Sequence, residues 1–350
     1  MGNIPQNREI VDMDNSKVVG IVTQILLYNY GGVLQNFALQ TVLKKIGYTP
    51  ITLNHVLPKV GLLRYIRSCL KTCILYFTSK RRPFVNRRNS RPLPFDDFIN
   101  KWIKTTKPFC QYSAELIEDY NIKQVIVGSD QVWRPSYSLN ILDMYLVFCK
   151  QMNDVKRIAY AASFGVDEWE YSPEQTCECS ALVKKFDAIG VREKTGVTLC
   201  KEYLDVDATL VLDPTLLLNK EDYCEVCKNT PIATGKILVA YVLDMNDSIR
   251  RLCESIAKER NMKLKIFSSG SQASLTIPEW LAMFRDASYV VTDSFHGTVF
   301  SIIFGKEFKC FYNKDRGATR FESLIDLYHS GKLEKMRESS LNWLKSALDN

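Results

Sequence analysis

Histidine is scarce in this chain: three in 350 residues, at positions 55, 296 and 329. Chemistry that needs an imidazole near neutral pH has few places to sit, so each one matters. Cysteine is more frequent but has no pattern. The count of eleven is odd, and the close pairs Cys177/Cys179 and Cys224/Cys227 have no histidine or second CxxC at a zinc-site interval. Neither a disulfide framework nor a metal centre is expected. Long apolar runs are missing too. Val18 to Leu27 is too short and too interrupted to span a bilayer, and residues 1–16 are largely polar rather than signal-like. The expectation is a cytoplasmic protein with reduced thiols. There is no GxGxxG fingerprint and no P-loop lysine, so no dinucleotide or ATP site is supported and no cofactor is expected.

Acidic residues are absent from one long stretch. Between Ile51 and Phe95 stand ten lysines and arginines and no Asp or Glu, which leaves the rest of the chain at −3 against +7 for the whole. Leu62, Ile66, Leu70, Ile74 and Phe77 recur there at helical spacing, with Arg64, Arg67 and Lys71 on another face and an Arg-rich loop after them. A basic amphipathic helix of this kind, over about residues 60–91, suggests peripheral contact with an anionic membrane surface, at the inner face of the cell membrane. A core-packed helix with a solvated positive face is the competing reading. Aromatic residues are not interleaved with the basic loop, and nucleic acid is not expected.

The remainder alternates strand-like and helix-like segments. Val18–Thr23, Lys123–Val127, Arg157–Ala161, Ala188–Val191 and Thr209–Leu212 read as buried strands, with Val33–Ile46 an amphipathic helix closed by Gly47. A second series begins at Lys236: strands Ile237–Leu243, Leu264–Phe267, Tyr289–Thr292 and Glu307–Tyr312, with helices Ser248–Lys258 and Pro278–Phe284 and one after His296. The expected class is α/β, as two Rossmann-like units with covered parallel sheets. Residues 1–215 form an N-terminal domain with a basic insertion at about 55–95, residues 216–235 a linker, and residues 236–350 a C-terminal domain with a terminal helix.

Ligands of open α/β sheets sit beyond the carboxyl ends of the strands, so the residues that follow strands are the candidates. They are Asn29-Tyr30-Gly31-Gly32, Gly128-Ser129-Asp130-Gln131, Ser163-Phe164-Gly165, Arg192-Glu193 and Asp293-Ser294-Phe295-His296. The last set is the most informative. Asp293 and Ser294 are good N-cap residues, so the helix that follows points free N–H groups, His296 and the small Gly297 toward one spot suited to a phosphate or carboxylate. An ordinary capped turn with a surface histidine is the plain alternative. Asp213, before Pro214, reads as a turn residue.

The series NYGGVLQNFALQ, VGSDQVW, YAASFG, VREKTG, VLDPTLLL and TDSFHGTVFSIIFGK, spread over about residues 18–328, resembles the polysaccharide pyruvyltransferase family. The resemblance implies a GT-B-like pair of domains with the active site in the interdomain cleft. It also implies transfer of the enolpyruvyl carbons of phosphoenolpyruvate to two hydroxyls of a sugar, giving a cyclic ketal and phosphate. The acceptor would be a saccharide in a capsule or exopolysaccharide precursor, expected to be lipid-linked. On that basis His296, Arg192 and Asp130 are the expected catalytic residues, with Asp130 as base. Arg192, Ser294, Phe295, His296, Gly297 and Thr298 are expected to hold the donor. Asn29, Tyr30, Gly31, Gly32, Ser129 and Gln131 are expected to hold the acceptor. A GT-B glycosyltransferase using a sugar nucleotide is the first alternative, and a non-catalytic lipid- or nucleic-acid-binding module the second.

Overall fold

The computed structural model describes residues 17–27, 29–57, 95–269, 274–311 and 319–349, so the expected basic helix and Arg-rich loop lie outside the described residues. Chain order begins β1 (Val18–Val22), α1 (Tyr30–Lys45), β2 (Thr49–Thr52), α2 (Asp96–Trp102), α3 (Ala114–Asp119), β3 (Gln124–Val127) and β4 (Lys156–Ala162). It continues with α4 (Pro173–Val183), β5 (Ala188–Val191), α5 (Lys194–Leu204), β6 (Thr209–Leu210) and α6 (Lys220–Val226). The second series is β7 (Ile237–Tyr241), α7 (Asp247–Glu259), β8 (Lys263–Phe267), α8 (Ile277–Asp286), β9 (Tyr289–Thr292), α9 (Phe295–Ile303) and β10 (Glu307–Cys310). Two helices close the chain, α10 (Thr319–His329) and α11 (Leu333–Asp349).

Among the described residues the strands form two parallel sheets, ordered β2-β1-β3-β4-β5-β6 and β10-β9-β7-β8. The anticipated strands are present to within a few residues. β2 was not anticipated; it is short, carries Pro50, and lies at the sheet edge, where a missing backbone donor is tolerated. The helix expected at Val33 begins three residues earlier, with Gly31 and Gly32 inside its first turn. In each sheet the chain leaves the first strand to one side and later returns on the other. The switch points fall between β1 and β3 and between β7 and β9, where such sheets open a crevice.

Aromatic side chains lock the units together. Tyr30 at the start of α1 stacks on Trp280 of α8, ring centroids 5.4 Å apart, and its hydroxyl donates to the Leu275 carbonyl at 2.9 Å. Tyr223 of α6 bridges Phe37 of α1 and Phe300 of α9. One apolar core therefore runs through both sheets' facing sides. The terminal helix, which chain order groups with the second unit, packs on the first sheet: Trp343 lies against Gly190 and Tyr160, and Ser340 Oγ accepts from Leu212 N at 3.0 Å. Its buried Leu344 and Leu348 need an apolar surface, and the face of the sheet at β4 and β5 supplies it. Among the described residues no helix is long and apolar enough to cross a membrane.

Candidate active site

Asp130 follows β3 through Gly128 and Ser129. Gly128 has φ +126° and its missing side chain is required, since a Cβ there would fall on the Tyr160 carbonyl oxygen. Asp130 itself has φ +72°, a left-handed conformation that L-residues with a side chain seldom adopt. Its carbonyl oxygen is held by Val132 N at 2.7 Å and Ser163 N at 3.0 Å. Backbone strain of this kind persists where neighbours over-determine it, and here it turns the carboxylate toward Arg192.

Arg192, at the carboxyl end of β5, is a buried cation gripped by carboxylates. Nη2 donates to Asp130 Oδ1 and Nη1 to Asp213 Oδ2, both at 2.9 Å, while Glu193 Oε2 stands 3.8 Å from Nε. Its guanidinium lies 4.9 Å from the centre of the Phe295 ring. Burial alone would raise the Asp130 and Asp213 carboxyls. For Asp130 the Arg192 guanidinium, with His296 and Arg320 behind it, outweighs burial and holds the group below its usual range. For Asp213, His296 and then Arg192 do the same more strongly. Glu193 goes the other way: burial dominates and raises it, although Phe164 N donates to Oε1 at 2.9 Å.

His296 enters from the other sheet. Asp293 after β9 accepts from Leu243 N and Asp244 N after β7, at 2.6 and 2.8 Å, and so ties the two strand ends across the switch point. Ser294 then caps α9, its hydroxyl accepting from Gly297 N at 3.3 Å. His296 follows in the first turn, 7% exposed, with Nε2 3.7 Å from Asp213 Oδ2 and without a hydrogen-bond partner. Its ring rests on α1, where a Cβ at Gly31 would fall on the imidazole.

Arg320, in the first turn of α10, completes the cluster and was not singled out in the sequence. It is 8% exposed, its guanidinium 5.8 Å from the Phe295 centroid, and its Nε is buried without a partner. Burial, then the Arg192 charge, push its pKa down to about 10. Sequence did carry one signal. Arg320 lies in line with Leu324 and Leu327 on the apolar side of a helix, where an arginine is out of place. Asp213 was read as a turn residue and is one, its Oδ1 capping Thr215 N at 3.0 Å; its other oxygen faces both Arg192 and His296.

Several expected contact residues are turned inward. The Tyr30 hydroxyl is occupied by Leu275, and burial raises its pKa to about 12. Ser129 is fully buried, with Oγ donating to Gln35 Oε1 at 2.6 Å. Thr298 Oγ1 donates to Ser294 O at the head of α9 at 3.2 Å, and a Cβ at Gly297 would fall on Thr292 Oγ1. Gln131 packs its amide oxygen against Gly165. Gly31 and Gly32 are buried in α1, and only Asn29 of that set is exposed. Among the described residues no group of three His, Cys, Asp or Glu could hold a metal ion.

The two parallel sheets, each with its switch-point crevice, and the buried arginine–carboxylate–histidine centre make up a GT-B-like α/β fold. The polysaccharide pyruvyl transferase family matches residues 29–315, and the chain belongs to that family. Its architecture is similar to that of a putative UDP-N-acetylglucosamine 2-epimerase from Listeria monocytogenes, 11% identical, with 96% of each chain covered and a TM-score of 0.50. It is also similar to UDP-GlcNAc 2-epimerase from Neisseria meningitidis bound to UDP-GlcNAc, with 10% identity, 95% of this chain and 99% of that chain covered, and a TM-score of 0.49. The wall teichoic acid polymerase TagF is 10% identical over 96% of this chain and 84% of that chain, with a TM-score of 0.43. At such identities the likeness concerns the fold alone. No curated protein sequence matches the chain.

Proposed function

We propose that this polysaccharide pyruvyltransferase takes phosphoenolpyruvate as donor and closes a cyclic pyruvate ketal on two hydroxyls of a sugar. The observation that carries the reading is a buried cationic pair, Arg192 and Arg320, beside a histidine whose Nε2 is unpartnered and faces a carboxylate. Phosphoenolpyruvate needs fixed cations for its phosphate and carboxylate and a proton for its methylene carbon. In this mechanism His296 delivers a proton to C3 and one sugar hydroxyl adds to C2, its proton passing to the imidazole left neutral. The C2–O bond to phosphate breaks, and the second hydroxyl adds to C2 and loses its proton to the departing phosphate. The Asp213 carboxylate stabilises the positive charge on the imidazole when it carries the proton. Asp130 is recast: a carboxylate paired to Arg192 and held below its usual range is a poor base, so it orients the guanidinium instead.

The acceptor enters beside Asn29 as a lipid-linked saccharide of a capsule or exopolysaccharide precursor. The basic segment at about 60–91 brings the enzyme to the inner face of the membrane. Incubating the protein with phosphoenolpyruvate and a panel of lipid-linked saccharides, with phosphate release and product mass as readouts, tests the whole reading. Phosphate release that requires a sugar nucleotide, with none from phosphoenolpyruvate, replaces it by the glycosyltransferase reading.

A further inference from the structure

We propose that Arg320 is a ligand-binding residue: with Arg192 and the Ser323 hydroxyl it seats a phosphate group, which in the reading above is the phosphate of the donor. The identity of the donor rests on that reading, but the anion seat itself does not. Arg320 and Ser323 are both buried on the same side of α10, and both keep a polar atom, Nε and Oγ, without a hydrogen-bond partner. They line one small, otherwise largely aliphatic cavity with Arg192, Asp213 and Phe295. Among the described residues no carboxylate lies within ion-pair distance of the Arg320 guanidinium. The acids that act on it, Asp130 and Glu193, are both drawn to Arg192, at 2.9 and 3.8 Å.

Two guanidiniums packed against one phenyl ring repel each other, and burying the second without a counter-charge is unfavourable. Aromatic contacts to Phe295 and Phe321 offset part of that but accept none of the N–H donors as a carboxylate or phosphate would. A phosphate can accept from both unpartnered Nε groups, that of Arg320 and that of Arg192, whose Nη groups the two aspartates already hold. Phosphate also matches the planar fork of arginine and can accept from the Ser323 hydroxyl. A nucleoside diphosphate shares this chemistry, so the experiment must separate the two sources.

Wild type, Arg320→Lys, Arg320→Met and Ser323→Ala are titrated calorimetrically with inorganic phosphate, phosphoenolpyruvate, pyruvate and UDP, and melted with and without phosphate. Arg320→Met is expected to bind phosphate and phosphoenolpyruvate about 10- to 100-fold more weakly, the usual size of a lost charge-assisted bond, with Arg320→Lys and Ser323→Ala in between. Pyruvate binding is expected to change less than threefold. Unliganded Arg320→Met should melt at or above the wild-type temperature, because it removes a buried charge without a carboxylate partner among the described residues, and phosphate should stabilise it least of the four proteins. Unchanged phosphate affinity in Arg320→Met overturns the proposal. So does an unliganded melting temperature well below wild type, which would make Arg320 structural. If UDP binds through Arg320 and phosphoenolpyruvate does not, the seat stands and the donor reading falls. A wild type that binds neither phosphate, phosphoenolpyruvate nor UDP overturns the seat.

Discussion

The imidazole of His296 rests on the backbone of Gly31, so closely that a Cβ there would occupy the ring. His296, of the second unit, is thus positioned by the first helix of the first unit.

Gly31→Ala should therefore be far more damaging than Gly32→Ala. Alanine in a helix is ordinarily favourable by up to ~1 kcal/mol over glycine. At Gly31 the overlap with the ring should reverse that to a loss of about 1–3 kcal/mol and cut turnover at least tenfold. At Gly32 the nearest atom is Asn29 Nδ2 at 3.1 Å, on an exposed side chain that can turn aside. Urea unfolding and turnover of the two variants decide the matter, and equal effects would refute the positioning role.

His296→Gln keeps the size of the side chain and loses the titrating ring. Turnover should fall by roughly 10²–10⁴-fold, the range typical of a lost general acid or base. The melting temperature should stay close to wild type. A turnover within tenfold of wild type would remove His296 from proton transfer.

Asp130 and Asp213 set the response to acid. Their folded pKa values lie below the unfolded value of about 3.9, so their contribution is present above that value and is lost as pH falls through the folded ones. Wild-type urea midpoints should hold between pH 7 and 5 and decline below about pH 4. Asp213→Asn should be less stable at pH 7 and converge on wild type in acid. A gap that does not change with pH would contradict the assignment.

Glu193 has the opposite sign. Its folded pKa lies above the unfolded value of about 4.3, so its contribution is present below that value and lost as pH rises through the raised folded one. Glu193→Gln retains an oxygen for Phe164 N and should gain on wild type between pH 5 and 8. A variant that is destabilised equally at both pH values would show that the ionised form is favoured.

The basic segment should carry salt-sensitive binding to vesicles. Flotation with anionic lipid at low ionic strength should recover the wild type and fail in 0.5 M salt, where the Debye length is about 4 Å. Replacing Arg81, Arg82, Arg87 and Arg88 by Gln should abolish flotation while leaving turnover on a soluble acceptor intact. Wild-type protein that stays with the unbound fraction at low salt would end the membrane reading.

Much of the architecture was legible in one dimension. Buried strands such as Tyr289–Thr292 announce themselves as short β-branched runs, because a strand covered on both faces excludes polar side chains. His296 stood out through its place after such a strand and behind the N-cap Ser294, both of them local signals. Arg192 could be named but not understood: its two aspartates come from beyond β3 and β6, and residue order does not reveal how close they come. Tyr30 and Ser129 looked like polar residues at a crevice, and the packing against Trp280 and Gln35 turned them inward.

The alternation of elements, the two parallel sheets and the place of His296 at the head of a capped helix are readable from residue order, since period and capping act over a few residues. Which charges meet depends on the folded chain. It brought Asp130, Arg192 and Asp213 of the first sheet, His296 of the second and Arg320 of a late helix into one buried centre, where burial and mutual Coulomb forces give each group its character.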